Sequence, residues 1–110
     1  MPKDDELYLF HMLETARKAT NKARGISRDG YDEDENLRFA LAHLVQILGE
    51  AARHVTSETQ VAHPEIAWRE IIGMRHKIVH DYMNLDEDVL WEVVTQDLQP
   101  LIAALEHIVS

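Results

Sequence analysis

The chain has 110 residues, a formal net charge of −9 and no cysteine. This length fits a single domain, and the lack of cysteine excludes disulfides and thiolate metal sites and is compatible with the cytoplasm. The acidic balance argues against a broad nucleic-acid-binding surface, so any such site must be local. The sequence starts with an amphipathic pattern and has no apolar run near the roughly 20 residues of a membrane span, so we expect a soluble, cytoplasmic protein without membrane contact.

Two long stretches in the first half of the chain have apolar residues at helical spacing. The first predicts a helix that begins at an Asp4 cap and is closed by Gly25. We expect a loop from Ile26 to Asp34, in which Asp32 caps the next helix and Glu35 completes a capping box. The inner stripe of this second helix is Leu37, Ala40, Leu41, Leu44, Leu48, Ala51 and Val55. Gly49 lies inside this helix, where we expect it to permit a close helix crossing.

The second half of the chain predicts two further helices. A polar loop from Thr56 to His63 precedes a third helix, which runs from about Trp68 toward His80. Asn84 or Asp86 then caps a fourth helix, in which Pro100 predicts a kink near residues 96–99. The sequence therefore predicts an all-α protein: one domain over residues 1–110, folded as an antiparallel bundle of about four helices.

One residue of the third helix does not fit the pattern of a buried face. If the helix is continuous, Arg75 falls in the middle of an apolar arc, which comprises Trp68, Ile71, Ile72, Met74, Ile78, Val79 and Tyr82. A guanidinium group stays charged at any accessible pH, so an arginine on a buried arc needs a carboxylate, a hydrogen-bonded cleft or an anionic ligand. The simplest interpretation is a structural ion pair.

Two kinds of chemistry are open to the histidines near Arg75. His76 and His80 are four residues apart, a spacing at which two imidazoles can share a metal, but no third ligand follows a pattern. The alternative needs no metal, because RNA is cleaved by its own 2′-hydroxyl if one group moves protons and another neutralises the phosphate. His80 and Arg75 are residue types that meet those two needs, and the Tyr82 phenol could reach the same phosphate.

The spacing of Arg75 and His80 sets a geometric condition on that chemistry. In an unbroken helix these residues point about 140° apart. Either the helix ends or distorts near Val79, or a second subunit supplies the missing partner. A symmetric homodimer in which the third helices meet would place two arginines and two histidines along one phosphate track.

The run from Arg75 to Tyr82 resembles the Arg-x4-His-x-Tyr motif of HepT-like proteins, a branch of the HEPN superfamily. Blocks at residues 47–52, 63–74 and 97–101 are similar to the family's blocks in the same order. The resemblance covers the chain from about Leu37 onward. The family usually has a polar amide after the arginine, and this chain has His76 there.

The resemblance implies a metal-independent ribonuclease toxin that uses no cofactor. By that similarity, Arg75 would neutralise the scissile phosphate, His80 would be the general acid or base, and His76 would orient the phosphate or the catalytic groups. A minimal nucleotidyltransferase antitoxin, encoded beside the toxin, would transfer AMP from ATP to Tyr82 and so block the cleft of a homodimer. The alternative is a non-catalytic partner of the nucleotidyltransferase, which binds nucleotide or acts as a scaffold with Arg75 as a phosphate clamp.

Overall fold

The structure is a computed structural model that describes residues 1–81 and 84–109, and of His80 and Asp81 it describes the backbone only. In these residues the elements are α1 (Lys3–Ala23), α2 (Arg28–Glu33), α3 (Glu35–His54), α4 (Ser57–Ala62), α5 (Trp68–Ile72), α6 (Met74–Ile78), β1 (Val79–Asp81), β2 (Asn84–Leu85), α7 (Glu87–Glu92), a π-helical segment (Val93–Asp97) and α8 (Leu98–Val109).

The core lies where the three longest helices, α1, α3 and α8, pack together. The start of α1 meets the end of α3, where the Tyr8 and His54 rings stack with centroids 5.0 Å apart, so these two helices are antiparallel. The side chains that fill the core include Leu9, Met12, Ala16, Leu41, Val45, Leu48, Ala52, Leu98 and Leu105. The prediction of an all-α helical bundle is confirmed.

A buried carboxylate joins the start of α1 to the start of α4. Asp5 is 1% exposed and accepts hydrogen bonds from the Thr56 backbone N–H at 3.1 Å and from the Thr56 and Thr59 hydroxyls at 2.6 Å each. Burial by itself raises the pKa of Asp5, but these hydrogen bonds outweigh it and bring the pKa below its ordinary value. Asp5 therefore stays ionised and fixes both helix starts.

The predicted helix ends are partly right. Gly25 has a φ of +77°, which is consistent with its predicted place just after α1, and Asp86 caps α7 by accepting from the Val89 N–H. The predicted caps Asp4 and Asp32 are wrong, because α1 begins after Pro2 and Asp34 caps α3. Both predicted loops contain a six-residue helix, α2 capped by Ser27 and α4 capped by Thr56.

The predicted third helix consists of two short helices that meet at Gly73. Trp68, at its start, is buried as predicted and donates its indole N–H to the His63 carbonyl at 3.0 Å. The second part, α6, ends at Ile78, and the chain continues as β1, which pairs antiparallel with β2. This two-stranded pairing was not predicted, because three residues are too few to display an alternating pattern.

The predicted fourth helix is interrupted just before Pro100. Residues Val93–Asp97 form a π-helical segment between α7 and α8. Proline has no N–H to donate to the carbonyl four residues earlier, and its ring crowds that carbonyl, so a wider helical turn before Pro100 relieves both problems. Pro100 itself is exposed on α8.

Candidate active site

Helix α6 carries the candidate phosphate-binding residues and has a buried side and an exposed side. Met74 and Ile78 are four residues apart and are 7% and 0% exposed, so they anchor α6 on the core. Between them, Arg75, His76 and Lys77 are all exposed. The single turn of α6 therefore presents three adjacent nitrogen-bearing side chains to solvent.

The predicted burial of Arg75 is wrong. The prediction assumed one helix whose apolar arc continued through Ile72 and Val79 on the far side of Arg75. Ile72 and Val79 are only partly buried, and Val79 belongs to β1 rather than to a helix. The core-facing side therefore ends at Met74 and Ile78, and Arg75 lies outside it.

Arg75 contacts an amide rather than an acid. Its Nε donates to Gln46 Oε1 at 3.4 Å, and the Gln46 Nε2 donates to the Ala42 carbonyl at 3.2 Å, which fixes the orientation of the carboxamide. Over the described part of the chain, no carboxylate forms an ion pair with Arg75. The structural ion pair, the simplest interpretation of the sequence, is thus not found there, and no described carboxylate neutralises the charge of Arg75.

A close crossing between α3 and α5 brings α6 beside Gln46. At Gly49 a Cβ atom would lie 2.8 Å from the backbone oxygen of Ile71, a distance that real Cβ atoms essentially never show. The prediction that Gly49 permits a close helix crossing is confirmed. Any larger residue would push α5, and with it α6, away from α3.

Arg75 and His76 line a depression of about 280 Å³, together with Gln46, Gly49, Glu50, Arg53 and Ile72. Arg53 Nη2 lies 2.8 Å from Glu50 Oε1, and this hydrogen bond is the main reason that the pKa of Glu50 is below its ordinary value. Two guanidinium-bearing residues and one carboxylate-bearing residue thus line the depression. On a chain of net charge −9, this is a local cationic site.

Gln46 and Arg53 are site residues that the sequence analysis missed. They lie seven residues apart on α3, two helical turns, and therefore on the same face as Gly49 between them. That spacing around a helix-interior glycine is the signal that could have found them. Without the α3–α5 crossing, nothing in the sequence connects them to Arg75.

The remaining residues of the motif are only partly described. Because α6 ends at Ile78 and β1 follows, the helix ends between Arg75 and His80, which is the first of the two possibilities that their spacing allowed. The backbone of His80 lies in β1, but its side chain is outside the described part of the structure, as is all of Tyr82. The metal alternative for His76 and His80 depends on that side chain and stays untested.

The segment after the motif is held by a polar cluster. The Asp86 N–H donates to the Ile78 carbonyl at 2.7 Å, which returns the chain to the end of α6. At the start of α7, Glu87 accepts from the Tyr31 hydroxyl at 2.5 Å and lies 3.2 Å from the Arg38 Nε. Burial and this contact raise the pKa of Tyr31, so its hydroxyl remains a donor. The chain is thus held at Ile78, before His80, and at Asp86 and Glu87, after it.

Residues 1–81 and 84–109 also bear on two other kinds of function, membrane insertion and metal binding. No helix among them is long and apolar enough to cross a bilayer. In the same residues, no three or more histidine and acidic side chains converge as metal ligands would.

Comparisons with known proteins place this geometry in context. The sequence model of a family described as "Ribonuclease HepT-like" matches residues 12–108. A relative from Thermococcus cleftensis, named "Probable ribonuclease HepT", is 31% identical, with 98% of each chain covered. Relatives named "Putative RNase" come from Caldanaerobacter subterraneus, 28% identical over 94% of this chain and 92% of the relative, and from Methanocaldococcus jannaschii, 25% identical over 94% and 95%. No solved structure matches the chain significantly.

Proposed function

Because the chain belongs to the HepT-like ribonuclease family, we propose that it is a metal-independent endoribonuclease in which Arg75 and His80 act on RNA. The observation that supports this most is the environment of Arg75: it is exposed, it donates a hydrogen bond to a carboxamide and forms no ion pair with a described carboxylate, and it lines a depression with Arg53 and His76. An arginine held in this way binds a phosphate bidentately without first breaking an ion pair.

The proposed reaction is attack by the RNA's own 2′-hydroxyl. The 2′-oxygen forms a bond to phosphorus and loses its proton to a base, the bond from phosphorus to the 5′-oxygen breaks, and that oxygen takes up a proton. A cyclic 2′,3′-phosphate and a free 5′-hydroxyl result. His80 is the general base or acid, Arg75 neutralises the charge that accumulates on the phosphate oxygens, and His76 orients the phosphate.

We place this chemistry in a homodimer. A twofold contact beside α6 would put two copies of Arg75 and His80 along one RNA strand, so one histidine could accept a proton while the other donates one. Sedimentation at micromolar concentration is expected to give a dimer. A strictly monomeric species would contradict this part of the proposal.

We further propose that the chain is the toxin of a toxin–antitoxin pair and that a minimal nucleotidyltransferase silences it by AMPylation of Tyr82. In that step the Tyr82 oxygen attacks the α-phosphorus of ATP, pyrophosphate leaves and the phenolic proton is lost. The attached AMP would add bulk and negative charge beside Arg75. Co-expression with the neighbouring nucleotidyltransferase is expected to add the mass of one or more adenylate units, and an unchanged intact mass would remove this part of the proposal.

The ribonuclease proposal is tested by cleavage of RNA with the purified chain and three variants. His80→Ala and Arg75→Ala are each expected to lower the cleavage rate about 100-fold or more, because each removes one of the two groups that the reaction needs. The matched control is Arg69→Ala, since Arg69 is also exposed but lies on α5 outside the depression. Its rate is expected to stay within about twofold of the parent.

The outcome separates the enzyme from the non-catalytic alternative. Loss of cleavage in both variants, with dimerisation retained, supports the enzyme. No cleavage by the unmodified parent chain would instead favour a nucleotide-binding or scaffolding partner of the nucleotidyltransferase.

A further inference from the structure

A second concave surface, which we call the acidic groove, lies on another side of α6 from the Arg75 depression. It has a volume of about 690 Å³ and runs between the α5–α6 pair and the helical stretch from α7 through α8. Met74 and Lys77 of α6 line it, whereas Arg75 and His76 line the depression. Arg75 and His76, the described residues proposed to act on RNA, are therefore not part of this groove.

The floor of the acidic groove is apolar. Ile71 and Met74 contribute to the floor from the α5–α6 side, and Val93, Leu98 and Leu101 contribute to it from the opposite side. The volume falls within the range of about 300–1,000 Å³ typical of ligand pockets, so the groove has room for several side chains. Val93 belongs to the π-helical segment, a type of helical defect that is often found at functional sites.

The rim of the groove is strongly acidic. Among the described lining residues, the charged side chains are Glu65, Glu70, Glu92 and Asp97, against the single cation Lys77. Over the part of the chain that the structure describes, Glu70, Glu92 and Asp97 form no ion pair, and Glu65 lies 3.3 Å from His63. Three of the four rim carboxylates are therefore available to a cationic partner.

We propose that the acidic groove binds a helical segment of a partner protein that carries an apolar stripe flanked by lysine and arginine. The stripe would fill the floor while the flanking cations meet the four rim carboxylates. The rim repels RNA, which is itself anionic. The lining residues that the structure describes belong to helices and to the turn before α5, with no strand among them, so they offer an extended peptide no edge to pair with. A helix laid into the groove needs no such edge.

The test uses the full chain and two fluorescein-labelled synthetic peptides of about 18 residues, a length that supports some helix. One has leucines at positions i, i+3, i+4 and i+7 with lysines on both flanks. The other has the same composition in an order without an apolar face. Fluorescence anisotropy at moderate salt is expected to show saturable binding of the amphipathic peptide and at least tenfold weaker binding of the scrambled one.

Two charge-matched triple variants locate the binding site. Glu70→Gln with Glu92→Gln and Asp97→Asn is expected to weaken binding about tenfold or more, because it removes three rim charges. Glu33→Gln with Glu58→Gln and Asp4→Asn removes the same charge from exposed residues outside the groove. This control is expected to stay within about twofold of the parent. All six residues are exposed, so both variants should fold.

A floor variant tests the apolar half of the proposal. Val89 lines the groove and is only partly buried, and Val89→Ser is expected to weaken binding about threefold or more without changing charge. An unchanged affinity would mean that charge alone attracts the peptide, which would overturn the proposal.

Three further results would overturn it. The two triple variants could lose affinity equally, or the two peptides could bind equally. The third result is that neither peptide binds and that substituting the rim carboxylates changes the sedimentation of the chain. The last would make the groove a contact between copies of this chain. RNA cleavage by the rim variant is expected to be unchanged, so a failure here leaves the ribonuclease proposal intact.

Discussion

Helices α1 and α5–α6 pack on the same helix, α3, but are built very differently. Helix α1 has 21 residues and buries nine of them, whereas α5 and α6 have five residues each and expose Arg75, His76 and Lys77 between two buried anchors. Isolated helices shorter than about 12–15 residues are marginal in water, so α5 and α6 exist because α3 holds them. The long helices therefore supply the stability, and the short ones present the candidate chemistry.

This contrast predicts that activity and stability respond to different substitutions. The largest effect is expected at Arg75, where Arg75→Ala lowers RNA cleavage about 100-fold or more and Arg75→Lys, which keeps the charge but loses the planar fork, lowers it about tenfold or more. Because Arg75 is exposed, the free energy of unfolding of both variants in urea should lie within about 0.5 kcal/mol of the parent value. A large loss of stability in either variant would mean that Arg75 is structural.

The opposite pattern, a loss of stability without a loss of activity, is expected in the long helices, which we call the framework. Leu41 on α3 is fully buried, and Leu41→Ala should reduce the free energy of unfolding by about 2–5 kcal/mol through lost burial and a cavity. The control Ile47→Ala, on the same helix but 39% exposed, should cost about 1 kcal/mol or less. Under conditions where the Leu41 variant stays folded, its cleavage rate per molecule should match that of the parent. A selective loss of activity would contradict the separation between helices that supply stability and helices that carry the chemistry.

Gly49 is where the two regions meet, so its substitution should affect both properties. In Gly49→Ala the new methyl group collides with the Ile71 oxygen, which costs about 1–3 kcal/mol, and the higher helix propensity of alanine offsets about 1 kcal/mol. We expect a net loss of up to about 2 kcal/mol in the free energy of unfolding in urea, together with slower cleavage as Arg75 moves away from Gln46.

Gly30→Ala is the control for this substitution. Its nearest neighbour is a side-chain methyl of Ile26 at 3.3 Å, which is able to move, so little change is expected. Equal effects of the two glycine substitutions would contradict the role assigned to the α3–α5 crossing.

The smallest predicted effect is pH-dependent and belongs to the framework. Hydrogen bonds lower the pKa of Asp5 below its ordinary value of 3.8, so its contribution to stability is present above that value and is lost as the pH falls through the folded-state pKa. Asp5→Asn loses one of the two acceptors that bind Thr56 and Thr59 and should reduce stability at neutral pH by about 1–2 kcal/mol.

Urea unfolding of parent and variant between neutral and acidic pH checks this prediction. The difference between them should narrow as the pH falls below 3.8, the ordinary pKa of an aspartate side chain. Asp4→Asn is the exposed control and should show little difference at any pH. A difference that stays constant with pH at Asp5 would show that its charge is not what holds α4.

The parts of the fold that were predicted correctly are those with enough turns to show a period. Helices α1, α3 and α8 repeat their apolar residues over 12 to 21 residues. Gly25, just after α1, and Asp86, the cap of α7, could be predicted because the residue preferences at helix ends are local. Helices α2 and α4 have six residues each, less than two turns, so only their caps Ser27 and Thr56 could have revealed them.

The candidate site was predicted less well because it depends on contacts between helices. The motif identified Arg75 and His76, but the assumption of one continuous helix misplaced Arg75 in the core. Gln46 and Arg53 join the site only because Gly49 lets α3 approach α5, and their spacing around that glycine does not say which helix they meet. The roles of His80 and Tyr82 still rest on the family motif.

The most direct test compares an RNA oligonucleotide with the same sequence made of 2′-deoxyribose, both incubated with the purified, unmodified chain in excess chelator. If Arg75 and His80 promote attack by the 2′-hydroxyl, the RNA is cut to products with a cyclic 2′,3′-phosphate and the DNA stays intact. Cleavage of the DNA, or RNA cleavage that appears only after a metal is restored, would contradict the account.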